Sequence, residues 1–158
     1  MSLRTLALAA ALAAASVVTT PAFAADKDDV LAVVNQFNDD GNKLDEKAAS
    51  ALCADQTVII DMFAPYSWNG AGACATWMKD GDADNKRTSS TDVSGTLGKT
   101  SEVIISGDNA YAAMPATFTY KIKGKAQKPL QGIWTFTMHK SSAGWRITGL
   151  GWGLKSGI

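Results

Sequence analysis

The sequence predicts an α+β protein in which three N-terminal helices pack on one face of a curved, mostly antiparallel β-sheet. Three observations lead there. Apolar residues recur at helical spacing in the first third of the chain, β-rich runs separated by turn signals fill the part after Ser90, and the two patterns are segregated instead of alternating. Helices followed by a meander of strands imply a sheet covered on one side.

Residues 1–24 read as a secretory signal peptide and are set aside. Arg4 supplies a short positive region, Leu6 to Val18 is an apolar run, and Ala22-Phe23-Ala24 is a small-x-small cleavage site. The run falls short of the roughly 20 apolar residues that span a bilayer, which argues against an uncleaved anchor. Residues 25–158 then form a single domain without repeat, linker or low-complexity tract. The protein is expected to be exported, to the periplasm or the medium.

The first helix is expected over Asp26 to Asp40. Val30, Val33, Val34 and Phe37 share its apolar side, Asp26, Asp28 and Asp29 sit at the positive end of its dipole, and Gly41 is a stop. Asp45 caps a second helix through Leu52 that buries Ala48, Ala51 and Leu52. The stretch Ala54 to Trp77 then reads as a strand over Thr57 to Asp61, a Phe/Pro/Tyr/Trp turn, and a third helix from about Ala71 to Lys79. The acidic run Asp80 to Asn85 follows as a solvated connection. It places carboxylates at the first, third and fifth positions of a calcium loop, but Asn85 stands where that loop needs glycine and Thr91 where it needs glutamate. The β half comprises Glu102 to Ser106, Ala110 to Lys123, Leu130 to Lys140 and Trp145 to Leu154, with turns at Gly107-Asp108-Asn109, Gly124 and Ser141 to Gly144.

Charge and cysteine content narrow the function classes. Of the 15 basic residues, Arg4 leaves with the leader, so 14 stand against 15 acids. Near-neutrality gives no electrostatic case for nucleic acid or an anionic membrane. The Lys121, Lys123, Lys125 and Lys128 cluster around Gly124 fits a solvated rim or an edge protected against aggregation, with an anion-attracting lip on a pocket as the alternative. The two cysteines of an exported chain invite a Cys53–Cys74 disulfide, with two separate buried thiols as the alternative. A bond there would close a loop of about 20 residues and contribute about 3 kcal/mol in the chain-entropy account. His139 is the only histidine and reads as a surface residue at a strand end, so a two- or three-histidine metal set is not available. No cofactor or metal is expected.

The order helix, helix, strand, helix, four strands, together with the Gly41 turn, the Ala54-Asp55 entry to the first strand and the closing GWRITGLGWG strand, resembles the nuclear transport factor 2-like, SnoaL-like superfamily. The resemblance covers nearly all of residues 25–158 and implies a cystatin-like cone. It leaves function open, because that scaffold hosts isomerases, cyclases, dehydratases and plain binding modules. It also implies a homodimer through the outer face of the sheet. Ketosteroid isomerases of this superfamily use a carboxylate base near the end of the first strand, a tyrosine on the first helix and a protonated acid on a central strand. Here Val34 and Trp134 fall at the two donor places, and the base falls on Ile60 or Asp61, so that chemistry is not expected.

Two readings of Asp61 stay open. Thr57, Ile59 and Asp61 share one strand face and Val58 and Ile60 the other, so Asp61 points away from the interior if Ile60 points inward. Its carboxylate then caps the turn or the next helix, for instance by accepting a backbone N–H from the Ala64 to Trp68 turn; otherwise it is a general base or ligand anchor in the pocket. On the last strand, Trp145 and Ile147 share a face with Gly149, Gly151 and Gly153, and the opposite face carries Leu150 and Trp152. If that second face is the outer one, Trp152 is a dimer contact. Trp134, Phe136 and Met138 line the inside with Met114, Phe118, Phe63 and Trp68, and either fill the core or wall a half-open apolar cavity.

The reading favoured by these residues is an exported module that holds a small, mostly apolar molecule, with Asp61, Phe63, Trp68, Met114, Phe118, Trp134 and Phe136 as contacts. A cofactor-independent lyase, isomerase or hydrolase using Asp61 as base is the first alternative, and a dimer with a filled core the second.

Overall fold

The structure is a computed structural model and describes residues 20–156. The expected leader therefore lies largely outside the described residues, and its last five residues form the start of the first helix. The elements run α1 (Thr20–Asn42), α2 (Glu46–Ala51), β1 (Cys53–Ile60), β2 (Ser67–Ala71), α3 (Ala73–Thr88), β3 (Ser90–Leu97), β4 (Glu102–Ser106), β5 (Asn109–Ile122), β6 (Lys125–Ala126), β7 (Leu130–Ser141) and β8 (Gly144–Ser156). All eight strands belong to one sheet of order β2-β1-β8-β7-β5-β3, with β4 and β6 also on β5. Only β1 and β8 run parallel.

The apolar stripe of α1 enters the core as its spacing demands. Val30, Val34 and Phe37 are buried against the sheet, and Phe37 meets Trp77, Trp134 and Phe136 at ring-centroid distances of about 6 Å. Burying such a side chain contributes about 1.5–3 kcal/mol. Gly41 does not stop the helix, which continues to Asn42. The Asn42 amide then pairs with the Gly95 backbone like a peptide unit, donating to its carbonyl and accepting from its N–H at 2.8 Å each. A Cβ at Gly95 would lie 2.7 Å from the Phe118 ring, so this contact needs glycine. Asp45 caps α2 as expected, accepting from Ala48 N at 2.9 Å.

Four local expectations are corrected. β1 starts at Cys53 instead of Thr57 and ends one residue before Asp61. The chain after the aromatic turn returns as β2, whose Asn and Gly carry little β signal of their own and which is held by antiparallel pairing with β1. A further strand, β3, precedes the first expected member of the meander and pairs with β5. The run Asp80 to Asn85 is helical, not a connection, and α3 extends to Thr88; Asp82 pairs with Lys86 and Asp84 with Arg87 along the helix surface at 2.5 Å.

The faces of β8 are also corrected. Met138 pairs with Ile147 but Thr137 pairs with Gly149, so Thr148 is an extra residue in the ladder. Trp145 and Ile147 are buried before this bulge, and Leu150 is buried after it. Gly149 and Gly151 consequently lie on the outer face beside Thr137 and Thr135, and Trp152 turns inward over Gly132.

Cys53 and Cys74 are disulfide-bonded, which ties the start of β1 to the first turn of α3. We predict that replacing both with alanine lowers the unfolding free energy by about 2–4 kcal/mol. Urea denaturation of the two proteins measures this, and an unshifted midpoint would contradict it.

Candidate functional site

A cavity of about 590 Å³ opens between the inner face of the sheet, the C-terminal part of α1 and one side of α3. Its apolar wall is rich in aromatic rings, among them Phe37 from α1, Trp77 from α3, Phe118 from β5, Trp134 from β7 and Trp152 from β8. Phe118 stands edge-on to Trp134 and to Trp152, with centroids 5.4 and 5.1 Å apart. Such edge-to-face pairs fix ring positions beyond what area burial alone would do.

Asp61 brings a carboxylate to this wall. Ile59 and Thr57 are buried while Val58 and Ile60 are about half exposed, so the face that Asp61 continues is the inner one. The turn behind it closes through Asp61 N donating to Tyr66 O and Tyr66 N donating to Phe63 O. One carboxylate oxygen accepts from Met62 N at 2.6 Å, and the other accepts from the indole N–H of Trp77 at 2.9 Å. The carboxylate thus caps the first residue of its own turn and faces the cavity as well. Burial pushes the Asp61 carboxyl above its ordinary value, with the two hydrogen bonds acting in the opposite sense.

The other expected contacts divide. Phe63, Phe118 and Trp134 line the cavity with Asp61. Trp68, Met114 and Phe136 do not reach it. Trp68 packs on Phe63 at 5.0 Å and donates to Asp80 at 2.8 Å, which locks β2 against α3. Met114 and Phe136 are buried deeper in the core. Val34 is buried away from the lining, and Trp134 is part of it. His139 is exposed, and its ring hydrogen-bonds to Asn109 across the strands.

Three walls escaped the sequence reading. Phe37 was legible as core, but its position at the cavity depends on where α1 ends. Trp77 lies two residues before Lys79, the expected end of the third helix, and Trp152 is reversed by the Thr148 bulge. Among the described residues there is no cluster of three or more potential metal ligands. No described helix is long and apolar enough to cross a membrane.

A curved sheet wrapped around α1, with a cavity open at one end of the cone, defines the NTF2-like, cystatin-like fold. Solved structures share it. An NTF2-like protein with a cystatin-like fold from Novosphingobium aromaticivorans is 18% identical, with a TM-score of 0.65 over 86% of both chains. An NTF2-like superfamily protein from Salmonella enterica serovar Typhimurium aligns with a TM-score of 0.70 at 16% identity, over 85% of this chain and 94% of the other. A ketosteroid isomerase-like protein from Erwinia carotovora atroseptica reaches 0.65 at 18% identity, over 82% and 95%. No protein-family profile and no curated protein matches the sequence. Likeness at these identities concerns the fold, and the reaction or ligand has to be argued from the site.

Because the folded Asp61 carboxyl titrates above the unfolded one, the native state holds the extra proton between the two values. Stability from this group is complete at low pH and is lost as pH rises through the folded value. Asp61→Asn should therefore be more favourable to the melting temperature at pH 7 than at pH 3.5. Thermal scans at both values test this; an equal effect at both would show that the carboxylate is not desolvated.

Proposed function

We propose that the protein is a binding module for a small, mostly apolar molecule held in the cone. The observation that carries this reading is the cavity of about 590 Å³ with an aromatic-rich wall and one desolvated carboxylate, Asp61. Ligand sites of this size are mostly apolar with a few fixed polar groups. Trp134 and Trp152 supply area, and Asp61, steadied by Trp77, supplies orientation. The test is a titration with a panel of apolar small molecules, read by tryptophan emission and by melting temperature. A ligand at about 100 times its Kd adds about 2.7 kcal/mol to stability. Trp134→Phe should remove much of the emission change and Trp68→Phe should retain it. Silence across the panel would overturn the reading in favour of a purely structural role.

One observation favours a second reading, a cofactor-independent lyase, isomerase or hydrolase. A carboxyl whose pKa is raised by burial and which faces a cavity is a stronger base than an ordinary carboxylate and is suited to proton abstraction. In that case Asp61→Asn abolishes turnover while leaving the affinity for a neutral ligand within a few-fold. A variant without activity to lose and with full affinity returns the protein to the first reading.

Export and assembly complete the proposal. The Cys53–Cys74 bond suits an oxidising compartment, and cleavage after Ala24 would leave α1 beginning at its acidic turn Asp26, Asp28 and Asp29. For assembly, we place a second copy of the chain on the outer sheet face. Ile104, Tyr111, Ile133, Val58 and Ile60 are exposed there, and Gly149 and Gly151 leave a shallow trough between Val58, Ile60 and the threonines of β7. Exposed apolar side chains gathered on one sheet face support a contact surface. Ile60→Lys should halve the mass in sedimentation equilibrium without lowering helix and strand content; a wild-type protein that sediments as a monomer would contradict the assembly.

A further inference from the structure

The charge of the cavity lining is one-sided. Among the described residues, the lining holds no Lys, Arg or His, while Glu46, Asp61, Asp82 and Asp84 all reach it. Asp82 and Asp84 are matched by Lys86 and Arg87, which are largely exposed and form no part of the lining. Glu46 and Asp61 have no ion-pair partner within 4.0 Å among the described residues. The donors to Asp61 are both neutral N–H groups, and a carboxylate has about four acceptor positions, so it retains capacity for a ligand donor.

The walls have the same preference. Aromatic faces carry negative potential and attract cations, most strongly in tryptophan, and Trp77, Trp134 and Trp152 all line the cavity. An anionic head group would meet carboxylates with no countercharge inside the cone. A cationic one would meet Asp61 and indole faces together. We propose that the cone takes an organic cation, a small apolar amine or quaternary ammonium, with its charged nitrogen beside Asp61 and its apolar body between Trp77 and Trp134. This rests on the reading of the cavity as a ligand site and adds the sign of the ligand's charge.

Naphthylmethylamine, naphthylmethanol and naphthoate share one apolar body and are a cation, a neutral molecule and an anion at neutral pH. Calorimetric titration of the full chain with each should give about tenfold tighter binding of the amine than of the alcohol, with the carboxylate weakest. In Asp61→Asn, checked for native circular dichroism, the amine-to-alcohol ratio should fall towards one. The proposal is overturned if the alcohol or the carboxylate binds wild-type protein as tightly as the amine; the cavity reading would then survive. Failure of all three probes to bind removes both. The wild-type ranking decides the matter even if the variant does not fold, and a folded variant with an unchanged ratio overturns the role given to Asp61.

Discussion

The attachment of α3 to the β1–β2 hairpin is the constraint on which the site depends. Along this helix only Ala73 and Cys74 are buried, with Trp77 and Met78 partly so, and its second half is polar and has no buried residue. Apolar burial alone would hold it weakly. Three specific links replace a wide apolar stripe: the Cys53–Cys74 bond, the Trp77 indole on Asp61 and the Trp68 indole on Asp80. They are spaced over the first two turns, so the helix is fixed in rotation as well as in position. One side of the cavity exists because of this.

Phe37 performs the matching task for α1. Its ring lies near Trp77 on α3 and near Trp134 and Phe136 on the sheet, so a single side chain connects the three layers of the cone. Beyond it, the clamp between Asn42 and Gly95 sets where α1 meets β3. The space left between these two contacts is the cavity. It is open because α1 ends where Gly41 and Asn42 leave the wall without a bulky side chain.

Legibility in the sequence followed the strength of the local pattern. Val30, Val34 and Phe37 announce α1, and the alternation of Trp134, Phe136 and Met138 with polar residues announces β7, because in both cases one side is apolar and the other largely is not. β1 gives a weaker signal for a definite reason. Val58 and Ile60 on its outer side are as apolar as Ile59 on its inner side, so the pattern marks a strand without saying which way Asp61 points. β2 owes its state to hairpin pairing with β1, and the second half of α3 carries the Asp82–Lys86 and Asp84–Arg87 pairs along its own surface. Trp68 looked like a wall and is a brace, and no local feature separates the two roles.

The bulge at Thr148 acts as a frame shift within a single strand. Because side chains alternate, one surplus residue gives β8 two successive reading frames: in the first, odd-numbered residues face the core, and in the second, even-numbered ones do. The outer glycines and the inner Trp152 are therefore two products of the same count. Any change that lost or gained one residue in this strand would exchange them, setting the indole on the outside and emptying the wall of the cone. The strand's two faces are thus bound to change together, and substitutions on it are tolerated far more readily than a change in its length.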